Sequence, residues 1–168
     1  MRKLLDGLYS TAAWLAGLAM IGILVMVLLT ILSRLIGFSA PGTDAYAGYA
    51  MAGAGFMALA STFKKGEHIR VTLLLGALKG TPLKVMEVLA LSIATLLSGF
   101  LAFYSVRLTW QSWDIEDISV GIDATPMWIP QIFMALGTVI FFIALLDDLV
   151  LELQGKRQNA VNEDAHHE

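Results

Sequence analysis

The chain has 168 residues, of which 57% are hydrophobic and 15% charged, and a formal net charge of -3. Soluble domains of this size carry about 25% charged residues; here the charges gather in short clusters between long apolar runs, as in a chain whose solvent is lipid. No basic stripe interleaves with aromatics, which argues against a nucleic-acid partner. The lack of cysteine excludes disulfides, thiolate catalysis and Cys-ligated metals.

A helix rises about 1.5 Å per residue, so about 20 apolar residues cross a hydrocarbon core of about 30 Å. The first such run extends from about Ala12 to Ser33 and carries no charge. Arg2 and Lys3 precede it, as in a signal peptide. The apolar stretch is too long for that, and Pro41 after Ser39 and Ala40 is a poor cleavage context, so it reads as an uncleaved span. The second run, about Ala45 to Phe63, is uncharged but rich in Ala and Gly. Val71 to Leu78 is apolar but too short to span, and Gly80 and Pro82 interrupt it. The segment from His68 to Leu78 reads as a short interfacial helix with Arg70 and Lys79 toward the headgroups; a plain loop is the alternative. The third run extends from about Val85 to Val106, with Glu87 near its start. The fourth runs from about Trp128 to Leu146, and its opening is punctuated by Pro126 and Pro130, which a first helical turn tolerates. Residues 1–152 are thus expected to form an all-α, four-helix membrane domain. Residues 153–168 form a polar tail without apolar periodicity, expected to be disordered.

Basic residues set the orientation. Arg2 and Lys3, then Lys64, Lys65, Arg70, Lys79 and Lys84, then Lys156 and Arg157 fall on one side; Arg34 and Arg107 fall on the other. The positive-inside rule places both termini in the cytoplasm. The outer loops are acidic, with Asp44 in the first and Asp114, Glu116, Asp117 and Asp123 in the second. Trp110, Trp113 and Trp128 flank that second loop as an aromatic belt, and Tyr9 and Trp14 are candidates for the same role inside.

Transport, proton relay and redox chemistry need polar groups within the bilayer, and intramembrane ionisable residues are usually functional. Glu87 is the only carboxylate within a predicted span; it reads as an interfacial i,i+3 partner of Lys84, with a coupling-ion ligand as the sharper alternative. His68, His166 and His167 fall in loops or tail, so no haem ligands lie within spans, and an adjacent pair in a tail is a poor metal site. No nucleophile–base set or phosphate-cradling loop appears. The reading is therefore of a non-enzyme that needs no cofactor or metal and does not carry a substrate by itself. What the chain offers is packing surface. Gly48 and Ala52, and Ala50, Ala54 and Ala58, recur every four residues. Ser92, Thr95, Ser98, Ala102 and Ser105 make a small, weakly polar face on the third span. Such stripes let helix backbones approach closely, either within the chain or against another subunit.

The segment Asp44-Ala-Tyr-Ala-Gly-Tyr-Ala-Met-Ala, continuing to Phe63-Lys-Lys-Gly-Glu-His-Ile-Arg-Val71, resembles the DctQ-type small subunit of TRAP (tripartite ATP-independent periplasmic) transporters. Thr125-Pro-Met-Trp-Ile-Pro130 is similar as well, and the likeness in length and span number covers about residues 5 to 152. The resemblance implies a large membrane transport subunit that binds solute and sodium, a periplasmic solute-binding protein that captures an organic acid such as a dicarboxylate or sialic acid, and a small subunit acting as a fixed scaffold. It maps Gly66, Glu67, His68 and Arg70 onto a cytoplasmic signature and Pro126, Trp128 and Pro130 onto an outer one. These residues, with Gly48 and Ala52, are the candidate interface toward the partner subunit or membrane lipids. For the signature residues the plainer alternatives are a structural turn with positive-inside charge and a helix start anchored at the interface. The acidic outer loop reads either as a solvated loop or as a contact for the periplasmic protein. The expected location is a bacterial inner membrane, and the alternative from a different class is a stand-alone, homo-oligomeric four-helix membrane channel or exporter.

Overall fold

A computed structural model describes residues 2–64 and 81–154. The described residues form four helices: α1 (Arg2–Ile36), α2 (Thr43–Lys64), α3 (Thr81–Asp114) and α4 (Trp128–Leu153). Three of them contain segments long and apolar enough to cross a membrane: Gly7–Ile36, Pro82–Asp114 and Trp128–Leu153. The helices of the first and third predicted spans extend well past the apolar runs that identified them, because Arg2 to Thr11 and Arg107 to Asp114 remain helical. The proposed helix from His68 to Leu78 and the tail beyond Gln154 lie outside the described residues.

The helices alternate in direction. Thr30 meets Thr43 at one end of the α1–α2 pair, and Tyr9 packs on Ala60 at the other. Along α2 and α4, Gly53 faces Phe133 while Lys64 meets Asp147, so these two run parallel. Thr109 meets Gln131 and Gly99 faces the Phe142 ring, so α3 runs against α4. The starts of α1 and α3 and the ends of α2 and α4 therefore share one end of the molecule.

Packing order differs from chain order. α1 lies on α2, α2 on α4, and α4 on α3, while α1 touches α4 only slightly. The result is an open layer, α1–α2–α4–α3, rather than a closed bundle. Position in this layer explains the composition of α2. It sits between two neighbours and buries Gly53, Ala54, Met57 and Ala60, so small residues that permit close approach replace the large apolar ones a lipid-facing helix needs. α1 lies at one edge, and Leu18, Ile21, Leu24 and Leu28 remain exposed.

The other edge, α3, buries its weakly polar face. Thr95, Ser98, Ala102 and Ser105 are buried, whereas Ser92 is exposed. The buried hydroxyls donate back along the helix, Thr95 to the Leu91 carbonyl at 2.7 Å and Ser98 to the Thr95 carbonyl at 2.9 Å. They are satisfied locally and leave a small surface for α4. α1 ends where Gly37 adopts φ 81°, with its N–H donating to the Ser33 carbonyl at 2.9 Å, a left-handed helix stop.

Candidate partner interface

Helix ends in an apolar layer need polar fastening, and each end of this molecule has one. At the end shared by the close of α2 and the close of α4, Lys64 Nζ donates to Asp147 Oδ2 at 2.7 Å and Asp148 Oδ1 at 2.9 Å. The same ammonium lies 5.5 Å from the centre of the Tyr9 ring, a cation–π distance. One lysine thus joins α1, α2 and α4. Tyr9 is buried at 6% exposure, so it is a packing residue and not the interfacial anchor its sequence position suggested. Trp14, 75% exposed, keeps the position an anchor requires.

The middle of the α2–α4 seam is set by a glycine. A Cβ on Gly137 would lie 2.5 Å from the carbonyl carbon and oxygen of Phe56. Both are backbone atoms, so the two helices reach this separation only because residue 137 has no side chain. Thr138 beside it is fully buried, its hydroxyl returned to the Ala135 carbonyl at 2.9 Å.

At the opposite end, residues 115–127 fold into a compact hairpin with an antiparallel bridge between Ile118 and Pro126. Ser119 N–H donates to the Thr125 carbonyl at 2.9 Å and Met127 N–H to the Asp117 carbonyl at 2.9 Å. Asp123 ties the hairpin to α2: Tyr49 OH donates to its Oδ2 at 2.8 Å, and Ser119 Oγ to its Oδ1 at 3.0 Å. Partial desolvation pushes the Asp123 carboxyl upward, but hydrogen bonds involving Tyr49, Thr125 and Ser119 outweigh it and hold the group below the ordinary value. Thr125 Oγ1 donates to Tyr46 OH at 3.2 Å. Thr30 and Thr43 hydroxyls, 2.8 Å apart, fasten α1 to α2 at the same end.

The predicted interface residues separate into three groups. Pro126, Trp128 and Pro130 are all at the hairpin end, with different surroundings. Pro126 is the bridge partner of Ile118; Trp128 meets Trp113 edge-on at 4.8 Å between centroids; Pro130 lines a cavity between α1, α2 and α4. Gly48 and Ala52 are exposed on α2, and nothing approaches the position of a Gly48 Cβ within 4 Å. Ala50, Ala54 and Ala58 turn inward instead. Of the two stripes on α2, one is therefore used within the chain and the other is free of it. Gly66, Glu67, His68 and Arg70 lie outside the described residues. No ion pair joins Lys84 to Glu87 among the described residues.

Two groupings escaped the sequence reading. Lys64 with Asp147 and Asp148 was readable in part, since the orientation rule already put all three at one membrane face. The Tyr49–Asp123 contact had no local signal, because it joins residues 74 positions apart.

Residues 23–155 match the family model described as Tripartite ATP-independent periplasmic transporters, DctQ component. The chain belongs to the DctQ family. It is a membrane protein and the small component of a TRAP transporter, as the segments around Asp44, Gly66 and Thr125 implied. The match runs from the middle of α1 through the end of α4, so the ionic fastening at Lys64, the Gly137 seam and the Asp123 hairpin all fall within the DctQ region. No curated protein gave a match.

Proposed function

We propose that this DctQ-family chain is a non-catalytic scaffold. It crosses the bacterial inner membrane four times with both termini in the cytoplasm and supports a large membrane transport subunit. That subunit, with a transiently docked periplasmic solute-binding protein, takes up an organic acid such as a dicarboxylate or sialic acid, driven by sodium. The observation that carries this reading is the open layer α1–α2–α4–α3. It leaves broad apolar faces uncovered, including the Gly48 and Ala52 stripe, and it keeps its ionisable side chains toward the helix ends. A layer of this kind has surface to offer and no polar path through it. The cytoplasmic Gly66, Glu67, His68 and Arg70 segment is assigned to holding the loop against the large subunit or the lipid surface.

Proteoliposomes test this. The chain alone is expected to give no solute flux. Together with the large subunit and the binding protein it is expected to support sodium-driven uptake of the organic acid. Flux through the chain alone would instead establish the stand-alone channel or exporter.

A further inference from the structure

α1 meets α4 through the buried clusters of Tyr9, Ala60 and Ala144 and of Ala12, Ala16 and Met57, with Ile140 against both. Beyond these clusters, toward the hairpin end, a cavity of about 280 Å³ opens between the two helices with α2 as its floor. Leu15 and Ala19 form one wall, Ile129 and Phe133 the other, and Ala50 and Gly53 the floor. Tyr46, Tyr49 and Thr125 line the hairpin end of the same cavity. The lining is thus apolar along its length and hydroxylated at one end.

We propose that this cavity is a lipid site holding one acyl chain of a phospholipid from the leaflet at the Tyr46 end, with an ammonium-bearing headgroup toward Asp123. Two observations select that occupant. The floor from Tyr46 to Met57 is about 16 Å of helix at about 1.5 Å per residue, which matches one leaflet of a hydrocarbon core about 30 Å thick. The second is charge. Asp123 stands directly behind the Tyr49 hydroxyl, 2.8 Å away. The Tyr49 and Ser119 hydroxyls donate to it, and no lysine or arginine among the described residues pairs with it. Asp123 does not line the slot itself but is hydrogen-bonded to Tyr49 at its hydroxylated end, and a carboxylate so placed attracts an ammonium and repels an anionic headgroup.

The inference rests on α1, α2 and α4 crossing the membrane, and the test separates the two. The complex is purified from membranes in mild detergent and its retained lipid counted by native mass spectrometry. It is then reconstituted into nanodiscs of mixed phosphatidylethanolamine and phosphatidylglycerol. The expected result is one tightly held phospholipid per chain, enriched in phosphatidylethanolamine by roughly fivefold, as one partly exposed ion pair allows. Ala19→Phe, which fills the slot, is expected to abolish retention. Asp123→Asn is expected to retain a lipid but lose the headgroup preference. A wild-type complex without a retained lipid, or variants that behave as wild type, overturns the proposal. So does a photocrosslinker at position 19 that labels a helix of the large subunit, an outcome that leaves the scaffold reading standing. Release of the chain from membranes by alkaline carbonate would instead defeat the membrane-spanning reading itself.

Discussion

Lys64 Nζ sits 2.7 Å from Asp147 Oδ2, and this contact fixes the end of α2 to the end of α4. Asp148 completes the pair at 2.9 Å, with side chains 15–28% exposed. Removing one member of such a half-buried group leaves charge without compensation. Lys64→Met is expected to lower stability by about 1–3 kcal/mol, read as a fall in thermal midpoint in detergent. Lys64→Arg should recover much of it, since a guanidinium can still reach both carboxylates. Equal midpoints for wild type and Lys64→Met would show that the contact is only a surface pair.

The α2–α4 seam makes a sharper prediction. Gly137→Ala places a methyl group against the Phe56 backbone, and overpacking of this kind costs about 1–3 kcal/mol. Gly48→Ala, where nothing approaches within 4 Å, is the matched control and should leave the thermal midpoint of the isolated chain unchanged or slightly raised, since Ala is favoured over Gly in a helix interior by up to about 1 kcal/mol. If the two substitutions behave alike, the close approach of α2 and α4 is not what Gly137 is for.

The helices were legible in the sequence because about 20 apolar residues is a strong, local signal. The layer order was not legible. Which helix neighbours which depends on surfaces from Tyr9 to Ala144 meeting in space, and the stripes on α2 gave no sign of which would turn inward. Ala50, Ala54 and Ala58 face the chain while Gly48 and Ala52 face away, although both sets have the same four-residue period. Pro126, Trp128 and Pro130 all lie at the hairpin end, as their place in the chain indicated, but the Trp113–Trp128 contact and the cavity beside Pro130 require tertiary geometry. Tyr9 was misplaced because an aromatic near a helix end looks the same whether it anchors at the interface or lies under a lysine.

Acidity should act on the hairpin through Asp123. Its carboxyl lies below the ordinary value of 3.8 in the folded chain, so its contribution is present above 3.8 and is lost as pH falls through the lower folded value. The stability gap between wild type and Asp123→Asn should therefore be full at about pH 6 and shrink only below about pH 3.8. Thermal unfolding of the two proteins across that range checks it. A gap that does not change in acid would mean that the Tyr49 and Ser119 hydrogen bonds do not depend on the charge.

The outward stripe of α2 distinguishes partner contact from internal packing. Gly48→Leu and Ala52→Leu add bulk where the chain itself has room. Thermal stability of the isolated chain is expected to stay the same, while recovery of the assembled complex falls severalfold, since bulk at a small-residue contact separates helix backbones. Normal complex recovery would remove this face from the proposed interface and leave it to lipid.

The scaffold account stands most directly on what this chain holds in its own membrane. A tagged copy, expressed at native level and drawn from native membranes in mild detergent, should bring down a large apolar membrane protein in fixed stoichiometry, identified by mass spectrometry. Recovery of a homo-oligomer alone, from membranes in which the partner genes are expressed, would contradict it.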